Sequence, residues 1–263
     1  MSATARNNVR GARSEGPPLV FAHGYGCDQA MWRHIAPRFE DSHRTILYDL
    51  TGCGKSDVSA YDFDRHATLE GHADDLLEIC RELGVTNATV IGHSVSCTIA
   101  TLASLRAPDI VSKIVMVCPS PSFIDDGSYV GGFTRADIDE LLEFLDGNFL
   151  GWSRHIAPVI MGAPERPELA AELSNSFCQT DPEVAKHFAA VTFLADHRDD
   201  FARLRTPALI VQCSRDTLAP VAVGEWLHRN IEGSSLAIID ASGHCPHLSA
   251  PDLTLAALER FVT

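Results

Sequence analysis

The 263-residue chain has no surplus of positive charge. Acidic residues outnumber Lys and Arg 35 to 21, for a formal net charge of −14. Nucleic acids and anionic membranes are therefore excluded as expected partners, because few cations are free to neutralise phosphate. No apolar run approaches the roughly 20 residues that a membrane-spanning helix needs. The first 16 residues are polar, with three arginines and no apolar stretch, so no secretory signal is expected and the expected location is cytoplasmic. The eight cysteines form no C-x-x-C pair, and several stand inside apolar runs, which reads as buried free thiols. The 12 histidines contain no H-E-x-x-H, and His244-Cys-Pro-His247 is by itself no metal site, so neither a metal nor another cofactor is expected. Repeats and low-complexity tracts are missing as well. Hydrophobic content of 45% and charged content of 21% exclude disorder, collagen and a simple coiled coil.

What is present is an alternation. Short, β-branched, apolar runs at 18–22, 44–49, 88–91, 113–117, 208–213 and 235–240 read as buried parallel strands. Segments of helical period fall near 29–38, 69–83, 95–106, 220–230 and 251–262, and a weak edge strand is expected at 7–10. This pattern specifies an α/β fold, a mostly parallel sheet with helices on both faces. Between about 120 and 205 the alternation gives way to helices alone. Thr134 and Asp137 mark a helix start, after which Ile138, Leu141, Leu142, Leu145 and Phe149 repeat opposite Asp139, Glu140, Glu143 and Asp146. Asp181-Pro182 marks another start, and helical segments near 149–160 and 166–178 complete the stretch. The expected organisation is a core of residues 1–122 and 206–263 with an inserted four-helix cap at 123–205.

The sharpest local signal is Gly92-His93-Ser94-Val95-Ser96, after a strand and before a helix. A nucleophilic serine needs such a tight corner, flanked by small residues so that strand and helix can approach. Ser96 replaces the usual last glycine of G-x-S-x-G. The plain alternative is a helix N-terminus capped by Ser94. A serine is inert without a base and a group to orient that base, and behind such a corner the order along the chain is serine, acid, histidine, each after a later strand. Asp216 and His244 stand in those places; Asp240, Asp199-Asp200 and His247 are the competitors. Backbone N–H groups of Val95 and of Tyr25, within His23-Gly24-Tyr25-Gly26, are the expected oxyanion donors, the alternative being a simple turn. Thr51-Gly52-Cys53-Gly54-Lys55-Ser56 imitates a phosphate loop, but Asp49 holds the place of that motif's first glycine, so it reads as a turn.

With these residues in place, the chain resembles the α/β-hydrolases. It is most similar to the group that contains the bacterial stress-signalling hydrolase RsbQ and the plant strigolactone and karrikin receptors. The resemblance is carried by segments 24–32, 92–95, 117–121 and 131–133, by cap segments 149–152, 176–182 and 196–198, and by 243–249. It implies a V-shaped four-helix cap over an apolar pocket above the serine. It also implies hydrolysis of a small hydrophobic ester or lactone, or signalling through one together with a partner protein. The pocket residues it suggests are Tyr25, Phe123, Trp152 and Phe193, with His93 beside the nucleophile; each is as well explained as plain core. Tyr25 stands where the group has phenylalanine, and its hydroxyl would allow a more polar pocket. The leading expectation is a serine hydrolase of an ester or lactone. The alternatives are a ligand-sensing protein whose acidic first cap helix meets a partner, and the same fold running carbon–carbon hydrolysis or perhydrolysis.

Overall fold

A computed structural model of the protein describes residues 1–11 and 15–262. The strands are β1 (Arg10–Gly11), β2 (Pro18–Ala22), β3 (Arg44–Tyr48), β4 (Ala88–His93), β5 (Val111–Val117), β6 (Ala208–Arg215) and β7 (Ser235–Ser242). They form one sheet in the order β1-β3-β2-β4-β5-β6-β7. Only β1 runs antiparallel to its neighbour. After β2 the chain moves outward to β3, then returns across β2 to build β4 on its other side. Ligands of such sheets bind beyond the carboxyl ends of the strands, where the strand order reverses.

Side chains along a strand alternate between faces. Leu19, Phe21, Ile91, Val115, Val117, Leu209 and Val211 accordingly enter one core, while Val20, Ala22, Val90, Ile114, Met116 and Ile210 enter the other. The helices, in chain order, are α1 (Ala3–Arg6), α2 (Leu69–Glu82), α3 (Val95–Arg106), α4 (Arg135–Gly147), α5 (Phe149–Met161), α6 (Pro167–Gln179), α7 (Pro182–Phe193), α8 (Arg198–Arg203), α9 (Val221–Asn230), α10 (Pro246–Ser249) and α11 (Pro251–Val262). Buried residues of α2, α3, α8 and α9 cover the second face, and those of α11 cover the first.

Helices α4 to α7 follow the expected starts. Asp137 N–H donates to Thr134 Oγ1, and Thr134 N–H donates to the Asp137 carboxylate at 2.7 Å, a reciprocal cap. Ile138 and Leu145 are buried, while Asp139, Glu140, Glu143 and Asp146 are exposed. Asp181 accepts from the N–H groups of Glu183 and Val184, ahead of Pro182. Helix α8 lies within the stretch 123–205 but packs on α3 and α9, with Phe201 buried beside the sheet.

Two expected elements differ. The helix at 29–38 is two 3-10 turns, Gln29–Trp32 and Ala36–Phe39. Pro37 lacks an N–H and its ring crowds the preceding turn, which disfavours a continuous helix here, although the longer α5 carries Pro158 in its interior. The edge strand at 7–10 is shorter and later. Asn7 gives its side-chain amide to the Asp49 carbonyl and Thr51 Oγ1, and Asn8 adopts a left-handed φ of 47°, so ladder pairing begins only at Arg10. All eight cysteines are free; seven are buried and Cys178 is exposed.

Candidate active site

Ser94 sits between β4 and α3 with φ of 55° and ψ of −121°. A left-handed φ is uncommon for a residue with a side chain, and here it lifts the hydroxyl off the sheet. The corner is tight enough that a Cβ on Gly92 would stand 2.6 Å from the Ser96 carbonyl oxygen. Ser94 makes no capping bond to α3, which sets aside the helix-cap alternative. Ser96 fits the corner by donating its hydroxyl to the His23 carbonyl, tying the start of α3 to the loop after β2. That loop passes close: a Cβ on Gly24 would meet His93 Nδ1 at 2.5 Å and Ser94 Cβ at 3.4 Å. The backbone around Tyr25 and the start of α3 at Val95 are thus brought to the same corner.

Asp216 and His244 follow the ends of β6 and β7. Both strands run two residues further than their apolar runs, with Arg215 registered against Ser242, so the two loops emerge side by side. Asp216 Oδ1 accepts from the N–H groups of Leu218 at 2.9 Å and Ala219 at 3.1 Å. Its Oδ2 stands 2.8 Å from His244 Nδ1, and His244 Nε2 stands 2.8 Å from Ser94 Oγ. With Nδ1–H donated to the carboxylate, Nε2 is left to accept the serine proton. Burial works against the charge of Asp216, but the facing His244 imidazole and the two N–H groups hold its carboxyl below the usual range. A hydroxyl, an imidazole and a carboxylate in this succession can activate the hydroxyl as a nucleophile.

The competing residues lie elsewhere. Asp240 is an exposed residue of β7 paired with Arg215, and Asp200 of α8 binds His197 and Arg203. His247 is fully buried against Trp32 and His93, with ring centroids 4.7 and 4.5 Å away. His93 donates Nε2–H to the His244 carbonyl at 2.8 Å, and burial, then the neighbouring His244, pushes its pKa down to about 3. Gln212, buried in β6, holds the Asp216 loop by donating to the Ala219 carbonyl, a contact no sequence signal marks. Among buried side chains that bring ligand-type atoms within 4.8 Å of one another are His93, Cys245 and His247, and His66, His72 and Asp75; a third group is Cys118 with Asp216 and His244, the two residues hydrogen-bonded in line with Ser94.

The serine opens into a narrow cavity between sheet and cap. Tyr25, His93, Phe123, Trp152 and Phe193 all line it. So do Leu141, Ile156, Leu173, Phe177, Thr192 and Leu218, which no motif marks as pocket residues. Leu141 lay in the apolar stripe of α4; for the others only the packing of the cap selects which apolar residues face inward. The expectation of a more polar pocket at Tyr25 is corrected: its hydroxyl donates to the Ala185 carbonyl of α7 at 2.8 Å and so serves the cap. The cap is also fastened to the loops that carry Asp216 and His244. The last carbonyls of α5, unpartnered within the helix, accept from His244 N–H at Ile160 and from Thr217 Oγ1 at Val159.

Fold and corner together define a hydrolase with a sheet-borne serine. The chain belongs to the alpha/beta hydrolase family, whose pattern matches residues 19–257. It is 37% identical over 245 residues to a probable esterase of Oryza sativa subsp. japonica, covering 93% of this chain and 90% of that one. It is 37% identical over 246 residues to the karrikin insensitive 2 receptor IA of Petunia hybrida, with the same coverage. A solved hydrolase from Oleispira antarctica superposes with a TM-score of 0.96 at 43% identity, covering 99% of this chain and 96% of that one. The resemblance to the strigolactone and karrikin receptor group is thereby borne out. No helix among the described residues is long and apolar enough to cross a membrane.

Proposed function

We propose that the protein hydrolyses a small hydrophobic carboxylic ester or lactone with Ser94 as nucleophile, His244 as base and then acid, and Asp216 holding the imidazole tautomer. One observation carries this reading: the hydrogen-bonded succession Ser94–His244–Asp216 ends at an apolar cavity. Ser94 Oγ attacks the carbonyl carbon while His244 takes its proton. The N–H groups of Val95 and Tyr25 receive the oxyanion; a donor of this kind is worth about 10²–10³ in rate. His244 returns the proton to the leaving oxygen, and water releases the acyl group by the same route in reverse. The esterase name of the rice relative supports the reaction class.

The test is covalent capture. Small lactones and activated esters are incubated with the protein, which is digested and read by mass spectrometry. An acyl adduct on the Ser94 peptide is the expected result; turnover with the adduct on another residue overturns the assignment. The receptor name of the petunia relative favours a second reading, in which ligand binding signals to a partner protein through the exposed acidic face of α4. A stoichiometric partner that copurifies from the native host and is lost on neutralising Glu140 and Glu143 would favour it.

A further inference from the structure

Cys245-Pro246-His247, at the start of α10, carries two ligand-type side chains and is by itself no metal site. The fold adds a third. His93, the last residue of β4, lies against this segment: its ring centroid stands 4.5 Å from that of His247, and its Nε2–H donates to the His244 carbonyl at 2.8 Å. One ring nitrogen of His93, one of His247 and Cys245 Sγ all lie within 4.8 Å of one another, and all three residues are buried. Thiolate sulfur and imidazole nitrogen are the donors that protein zinc sites use.

The imidazoles supply a second observation. Both nitrogens of His247 and Nδ1 of His93 are buried without a hydrogen-bond partner among the described residues. A buried polar atom left unpaired costs about 1–3 kcal/mol, so three in one cluster call for a partner. His93 is also held as a metal ligand is held. Its Nε2–H is fixed on a backbone carbonyl, which leaves the free lone pair of the neutral ring on Nδ1; a ligating histidine usually has its other N–H anchored in this way. Gly24 keeps a side chain away from Nδ1, since a Cβ there would stand 2.5 Å from it. The cluster of His66, His72 and Asp75 differs. Both nitrogens of His66 are engaged and two guanidiniums already hold the carboxylate, so a further cation is disfavoured.

We propose that His93, Cys245 and His247 bind a zinc ion. Coordination forms one sulfur–zinc and two nitrogen–zinc bonds, and the Cys245 thiol proton leaves to solvent. Water or the buried thiol of the neighbouring Cys27 completes the tetrahedron. A tetrahedral zinc sets its ligand atoms about 3.5 Å apart, so the three side chains close in by little more than about 1 Å. The ion ties the end of β4 to the segment after β7 and so braces the backbone on either side of His244. It supports the site and takes no part in the reaction at Ser94.

The experiment uses the full chain with Cys178→Ser, which removes the exposed thiol, stripped of metal by a chelator and kept reduced. Cobalt(II), a spectroscopic substitute for zinc, is titrated in. One equivalent is expected to give a thiolate-to-cobalt charge-transfer band with the visible bands of tetrahedral cobalt, and zinc should displace both. Adding Cys245→Ser should abolish the charge-transfer band with the fold intact by circular dichroism. His247→Phe should weaken zinc binding by more than about a hundredfold, beyond the cost of losing a supporting contact. Cys118→Ser, in the group with Asp216 and His244, and His72→Phe, in the other histidine cluster, should leave the spectrum as it was. A spectrum without the thiolate band in the Cys178→Ser chain overturns the site, however the further variants fold. A band that survives Cys245→Ser, or is lost in Cys118→Ser instead, overturns it as well.

Discussion

The protein buries two clusters built from the same kinds of side chain, and only one of them is arranged for chemistry. In the first, Ser94, His244 and Asp216 form a line in which the imidazole stands between hydroxyl and carboxylate. In the second, Thr51 donates its hydroxyl directly to Asp75 at 2.6 Å, and His66 approaches the same carboxylate oxygen at 3.0 Å. Arg6 and Arg65 occupy the other oxygen of Asp75. Tyr61 stacks on His66, which also contacts the Asp62 carbonyl. The second hydroxyl has no imidazole between it and the carboxylate, and the cluster is closed over by neighbours. It fastens the N-terminal segment and the loop after β3 to α2. Composition is shared; the order of hydrogen bonds and access to a cavity separate a site from a strut.

That contrast can be broken or sharpened by measurement. Ser94→Ala should lower turnover of nitrophenyl acetate by about 10⁶-fold with the fold intact by circular dichroism; undiminished turnover would move the nucleophile elsewhere. Asp216→Asn, which loses the carboxylate that fixes the His244 tautomer, should cost about 10⁴-fold in kcat. Asp75→Asn should do the opposite, lowering stability in urea by about 3 kcal/mol, since it strips the partner from two guanidiniums, while kcat holds. Activity lost at full stability would place that cluster in the reaction.

The smallest effect concerns acid. Burial pushes His72 and His93 down to about 3 from 6.5, and His247 well down too, so all three are neutral in the fold. Between about pH 3 and 6.5 the unfolded chain binds more protons than the folded one, so stability should rise with pH across that window and fall as pH drops through it. Burial alone would raise Asp75, but His66, Thr51 and Arg6 bring it down to about 2. Its contribution is therefore complete above the ordinary aspartate range and is lost only as pH falls through that value. Urea midpoints over this range should show the slope, and His72→Phe should flatten it.

Much of this was readable in one dimension. The strand and helix runs announced the α/β sheet because strands buried on both faces must be apolar throughout. Ser94 declared itself through its small neighbours, and Asp216 and His244 through their positions after strands. Other features left no local trace. The 29–38 segment is split into two turns around Pro37, and the last pair of β6 and β7, Arg215 with Ser242, was hidden because both residues are polar. The Tyr25 hydroxyl acts through a contact with a residue distant in the chain, Gln212 through a loop closure that no motif marks, and the cap's inward-facing residues are drawn from stripes in which several choices look alike.

The sequence by itself determined the sheet order's raw material, the helical insertion and the three candidate side chains Ser94, Asp216 and His244, because strand hydrophobicity, capping and corner chemistry are local properties. The tertiary structure decided that Ser94 faces His244 while Thr51 faces Asp75 directly, and which side chains line the cavity. Those outcomes depend on distances between segments far apart in the chain, and only the packed fold fixes such distances.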